Sequence, residues 1–432
     1  MRPSAYLCLK LGGDVRKVIL SLLVLISANL VFAQDLRIFK ERREILIQKM
    51  GKGIGLVFAG EEFSEDRFDV NPDFYYLTGL DDEPGAILIL APAEKKRKEV
   101  LLLKPRNPEE ERWEGERLSI GEELRKKTGL KYIRRTDGLA GWLNRFLHNC
   151  DTLCVLSRPA AYTSPVPEDL KILGELQSRW LGKTLKDCSR LITEMRSIKS
   201  QNELDLMSKA VRVTEASLKN VFAKIHPGMN EEDVQIMFEN YCRENGAKYL
   251  AFPSIVGSGH SSTVLHYTRN SAEIKEGDVI VLDLGAEYRG YAADVTRTIP
   301  VSGNFSVRQR EIYEIVWKAQ QEALKKLKPG VTIDDIYDAA YEVIDEAGYG
   351  DNFIHGLSHF IGLEVHDVGF YDEPLKPGMV ISVEPGIYIP KEDLGVRIED
   401  DVLITENGYK ILSDGIPAHP DQLEKFIQES RE

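Results

Sequence analysis

One stretch, DVIVLDLGAEYRGYAADVTRT (residues 278–298), limits the possible folds of this chain more than any other. Val279 to Leu282 is apolar on both faces of the pleat, as in an interior strand, and it delivers Asp283 into the core. If EYRG forms the turn, a tight hairpin centred on Tyr288 and Arg289 pairs Asp283 with Asp294. Directly opposed residues share a face, with Cβ atoms about 4.5–5.5 Å apart. Carboxylates held that close in low dielectric repel unless one is protonated or a cation joins them. Two of them would suit a pair of metal ions about 3.5–4 Å apart.

The theme recurs. In VISVEPG, Glu384 ends an apolar strand just before a Pro-Gly turn. In GVRIEDDVLIT, Val396 and Ile398 take one face while Arg397 and Glu399 share the other. Asp400 and Asp401 then need a bulge or solvent, because the strand resumes with Val402 and Ile404. A single acid at a strand end is ordinarily a surface residue or a helix cap. Four such acids, joined by the histidine-rich HGLSHFIGLEVHD (residues 355–367), read otherwise. Four carboxylates and one imidazole form an oxygen-rich, mixed ligand set suited to Mn²⁺, Zn²⁺, Co²⁺ or Fe²⁺. Two such ions would offset the four charges and leave a bridging hydroxide as nucleophile. His355 and His359 are four apart, as in the zinc motif HExxH, but Gly356 stands where that motif needs its Glu.

At 432 residues the chain is long for a single core and suggests two domains in a mixed α/β (α+β) arrangement. A formal net charge of -13 argues against a general nucleic-acid binder, since no cationic surplus can replace phosphate counterions. Arg16 and Lys17 precede an apolar run from Val18 to Ala33, the pattern of a signal peptide over residues 1–33. The run is shorter than the ~20 apolar residues a membrane span needs, and it contains Asn29. The expected mature protein is therefore exported, periplasmic or secreted, without a stable membrane anchor. Export permits disulfides. Cys150, Cys154, Cys188 and Cys242 read as buried thiols with at most one or two bridges. Residues 34–185 alternate short apolar strands (Ile54 to Gly60, Gly85 to Leu90, Glu99 to Lys104, Thr152 to Leu156) with helical stretches. Residues 186–432 carry the acidic strands and four amphipathic helices, the first starting between Lys199 and Glu203.

From about residue 185 onward the chain resembles the metal-dependent aminopeptidase P and prolidase group, members of metallopeptidase family M24. The resemblance rests on LHYTRN, VLDLGAEYRGYAADVTRT, HGLSHFIGLEVHDVG, SVEPGIYIP and GVRIEDDVLIT, in the family's order. NPDFYYLTGLDDEPGAILIL and ERWEG are similar to the creatinase-like amino-terminal domain found with aminopeptidase P. The resemblance implies a pita-bread catalytic domain over 186–432. It puts Asp283 on one ion, His359 and Glu384 on the other, and Asp294 and Glu399 between them, with manganese the first expectation. His266, His355 and His366 would line the substrate site, and Arg397 would support or contact substrate. For His355 a purely structural role stays open. The expected reaction is release of the first residue from peptides with proline second, with Glu384 moving the proton. A homo-oligomer, dimer or tetramer, is expected. The rivals are a prolidase that splits Xaa-Pro dipeptides and a metal-free relative that has become an interaction protein. Creatinase-like chemistry and methionine aminopeptidase are less compatible with the intact ligand set and the large amino-terminal domain.

Overall fold

The computed structural model describes residues 37–61, 63–64 and 67–432. The expected signal peptide lies outside them. Among the described residues no helix is long and apolar enough to cross a membrane. The chain falls into two compact units dividing between Ile192 and Thr193, inside the helix Ser189–Ser197. The strand Thr184–Asp187 still pairs in parallel with Thr152–Val155, so the first unit runs past residue 185.

The first unit is a six-stranded mixed sheet in the order 133–135, 99–103, 87–90, 54–58, 152–155, 184–187. Its central strands read IGLVF, ILIL and TLCV and are buried on both faces, which is why they appear as continuous apolar runs rather than alternating ones. Cys150, Cys154, Cys188 and Cys242 are buried, free thiols.

The second unit packs long helices on small antiparallel sheets. The helix Gln201–Lys224 starts where the Ser200 N–H and hydroxyl both donate to Glu203, a self-contained N-terminal cap. Val279–Leu284 is the central strand of a three-stranded sheet between Ile255–Ser258 and Val295–Pro300. Val380–Val383 pairs with Asp400–Thr405, and Gly386–Ile389 with Leu394–Arg397. One contiguous core joins these strands to the helices Val307–Lys326, Ile333–Glu346 and Pro420–Arg431.

Asp400 and Asp401 take neither a bulge nor solvent. Both lie in a regular strand, 2 % and 0 % exposed. For Asp400 the reason is a partner that the local pattern does not show. Arg297, itself buried, donates to Asp400 at 2.7 Å, to Ile416 O at 2.7 Å and to Glu399 O at 2.6 Å. Gln320 and Ser413 also donate to Asp400, at 2.9 and 2.6 Å. Removing one partner of a buried pair strands the other charge, at a cost of about 3–5 kcal/mol. Arg297→Met should therefore lower the unfolding free energy from denaturant titration by an amount in that range, whereas an exposed arginine such as Arg212 changed to Met should leave it within about 0.5 kcal/mol.

Candidate metal centre

The acidic hairpin forms, with its register moved by two residues. Tyr288 faces Tyr291, and Arg289 and Gly290 make the turn with φ of 51° and 82°. Two positive φ values are the mark of the turn whose twist matches paired strands, and Gly290, one of its two central residues, fixes where it falls. Asp283 consequently opposes Thr296, not Asp294. A two-residue move keeps side chains on their face, and Asp294 stays near enough to Asp283 for the Asp283 charge to help raise its pKa. The strands approach so closely that a Cβ on Gly285 would fall 2.0 Å from Ala293 O.

The other ligand candidates arrive from separate segments. Residues 359–361 run along the edge of Val380–Val383: Ser382 N–H donates to His359 O (2.9 Å) and Ile361 N–H to Val380 O (3.0 Å). That pairing sets His359 beside Glu384. His359 Nε2 lies 3.3 Å from Glu384 Oε1, 3.4 Å from Asp294 Oδ2 and 3.9 Å from Glu399 Oε1. Asp294, His359 and Glu399 each offer a ligand atom within 4.8 Å of the others. Thr296 donates to Glu399 Oε2 at 2.6 Å, and Arg397 Nη2 to Asp283 Oδ2 at 2.7 Å.

What these bonds leave open is decisive. Asp283 Oδ1, Asp294 Oδ1, Glu399 Oε1 and Asp401 Oδ1 are buried and accept no hydrogen bond from any described residue. Buried acceptors without partners are unfavourable, and the two carboxylates Asp294 and Glu399 beside the His359 imidazole make a donor set that fits a divalent cation. Protonation is the alternative response. Burial, then the Glu399 charge, pushes Asp294 and Glu384 well above the usual carboxylate range. Burial, then Asp283, raises Glu399 to about 7.

The substrate-side candidates divide. Arg397 Nη1 donates to Tyr388 Oη at 2.8 Å, so the Tyr388 proton goes to His355 Nε2, also at 2.8 Å. His355 Nδ1 then carries the ring proton and donates to Gly356 O. Burial holds this neutral imidazole's pKa down to about 4. With both nitrogens engaged, His355 binds substrate only if that chain opens. His366 is exposed, its ring 4.2 Å from that of His359. His266 is also exposed, next to Leu265, whose carbonyl accepts from Arg397 at 3.4 Å. Sequence reasoning missed Tyr388, although in GIYIP it falls on the face of Gly386, the residue directly opposite Arg397. It also missed Thr296 and Ser382 as groups that orient Glu399, His359 and Glu384.

A buried, ion-ready carboxylate–imidazole cluster behind exposed histidines defines a metallohydrolase site. Residues 205–406 match metallopeptidase family M24 and residues 39–155 match the aminopeptidase P N-terminal domain. Xaa-Pro aminopeptidase of Escherichia coli is 32% identical over 91% of this chain and 98% of its own. Xaa-Pro dipeptidase of Pyrococcus furiosus is 45% identical over 54% of this chain and 67% of its own. E. coli aminopeptidase P with the inhibitor Pro-Leu superposes with a TM-score of 0.82, at 30% identity, over 91% of this chain and 98% of that one. The chain belongs to metallopeptidase family M24, within its aminopeptidase P group, and is a metallo-aminopeptidase that hydrolyses peptide bonds.

The raised carboxyl pKa values have a sign that can be tested. A raised acid keeps its proton in the fold after the unfolded chain has lost it, so the ion-free fold loses stability as pH rises from about 4 towards 7. Chelated protein should have a lower unfolding free energy at pH 8 than at pH 5, by an amount on the order of a few kcal/mol. Divalent metal should remove most of that fall. A flat profile in chelator would mean that the acids are not so perturbed.

Proposed function

We propose that the protein releases the N-terminal residue from peptides with proline second, using two divalent ions at this centre. The observation that carries the reading is the convergence of Asp294, Glu384 and Glu399 oxygens within 3.9 Å of His359 Nε2, with buried oxygens of Asp283, Asp294, Glu399 and Asp401 left unpartnered among the described residues. Charge supports a pair of ions. Asp283, Asp294, Glu384, Glu399 and Asp401 against the Arg397 guanidinium leave four negative charges when ionised, the amount two divalent cations neutralise. Asp283, Asp294, His359, Glu384 and Glu399 would hold them, manganese first. When bound, such ions supply a nucleophilic hydroxide at neutral pH and polarise the substrate carbonyl.

The chain's own groups do the rest. Glu384 Oε2 faces His355 at 4.0 Å while its Oε1 accepts from Ser382, so Oε2 is placed to carry a proton to the leaving imide nitrogen. His366 and His266 reach the open side, where an N–H can meet the developing oxyanion. Arg397 balances Asp283 and fixes Tyr388, which in turn fixes the His355 tautomer. Asp294→Ala and Glu399→Ala should each abolish turnover, by at least about 10³-fold, and reduce bound metal measured by elemental analysis. Retention of both metal and turnover would sink the assignment.

The second reading is an Xaa-Pro dipeptidase, favoured by the higher identity of the P. furiosus relative over the catalytic half. The near-full coverage of the E. coli enzyme and the matched amino-terminal domain favour the aminopeptidase. An Xaa-Pro-Yaa tripeptide should be turned over faster than the matching Xaa-Pro dipeptide, and the reverse order would select the dipeptidase. We propose in addition that the protein is exported, because a basic pair precedes the apolar run ending at Ala33. Sequencing of the mature protein should then begin at Gln34.

A further inference from the structure

His366 stands one residue from a buried ionic clamp that the reaction does not use. The side chains of Arg196, Lys199 and Asp367 are 1 %, 1 % and 2 % exposed. Arg196 Nη2 donates to Asp367 and, at 2.8 Å, to Glu364, while Lys199 Nζ reaches Asp367 at 3.2 Å. The Asp367 N–H donates to Phe360 O at 2.7 Å and closes the loop that begins at His359. A Cβ on Gly362 would fall 2.0 Å from the Asp367 carboxylate, so the loop is shaped around that group. Apolar side chains of equal volume would fill the space without desolvating three charges, whereas an ion cluster admits only one arrangement.

We propose that Asp367, gripped by Arg196 and Lys199, is a positioning residue that sets His366 against His359 for turnover. The inference rests on the assignment of His366 to the substrate site. It acts through the backbone: the clamp fixes residue 367, and the ring of residue 366 is thereby held 4.2 Å from the His359 ring at 58°.

The test is a double-mutant cycle on the metal-saturated full chain with an Xaa-Pro-Yaa tripeptide. Asp367→Asn should lower kcat about 10–100-fold, the size typical for groups that orient an active-site ligand, with KM and bound metal unchanged. In the Asp367→Asn, His366→Ala double variant the second change should add nothing to His366→Ala alone, because both remove the same placed imidazole. Multiplicative losses would overturn the clamp and leave the function standing. A His366→Ala variant with undiminished kcat would overturn the clamp and the His366 assignment together. If Asp367→Asn does not fold, Lys199→Met enters the same cycle with the same expectations.

Discussion

Like charges in a low-dielectric interior repel, and the second unit is organised around five carboxylates that its strands carry inside. The fold treats them unequally. Asp400 receives Arg297, Gln320 and Ser413, a complete set of partners. Asp283 receives Arg397 on one oxygen only. Asp294, Glu399 and Asp401 each keep an oxygen that no described residue satisfies. A protein that could fully partner one acid and leaves its neighbours open has an interior that cations complete.

That tension explains the stiffness of the surroundings. Thr296 and Thr298 tie the Val295–Pro300 strand to the segment carrying Arg397 and Glu399: Thr298 donates to Arg397 O and accepts from Arg397 N–H, both at 2.9 Å. Gly285 and Gly395 allow backbones to meet where any Cβ would collide, the latter at 1.9 Å from Ser262 O. Charges forced together relax by moving apart unless the scaffold is rigid, so close backbone contact is part of the electrostatics. The chain from His355 through Tyr388 and Arg397 to Asp283 links the open side of the site to its acidic side by three hydrogen bonds of 2.7–2.8 Å. Each donor in that chain is committed, which settles a tautomer that the ring alone leaves free.

Much of this was legible from residue order. The apolar runs IGLVF, ILIL and VIVL are strands because nothing polar interrupts them, and Asp283, Glu384 and Glu399 stood out because they end or interrupt such runs. The cap at Ser200 and Glu203 was also local, hence visible. Less legible were interactions between distant segments. Asp400 read as needing a bulge or solvent because its partner Arg297 lies about a hundred residues earlier. The hairpin register turned on Gly290, a local signal outweighed by the apparent symmetry of two aspartates.

The sequence by itself determined the inventory: which acids enter the core, which segments are strands and helices, and a donor set suited to divalent ions. Composition and spacing suffice for that, because burial and periodicity are properties of neighbouring residues. Only the tertiary structure decided which oxygens stay open and which are answered, that Tyr388 and Gly356 O between them commit both nitrogens of His355, and that Asp401 accepts from the Asp294 N–H. Those outcomes depend on distances between segments far apart in the chain, and hydrogen bonds and charge pairs fall off within a few ångströms.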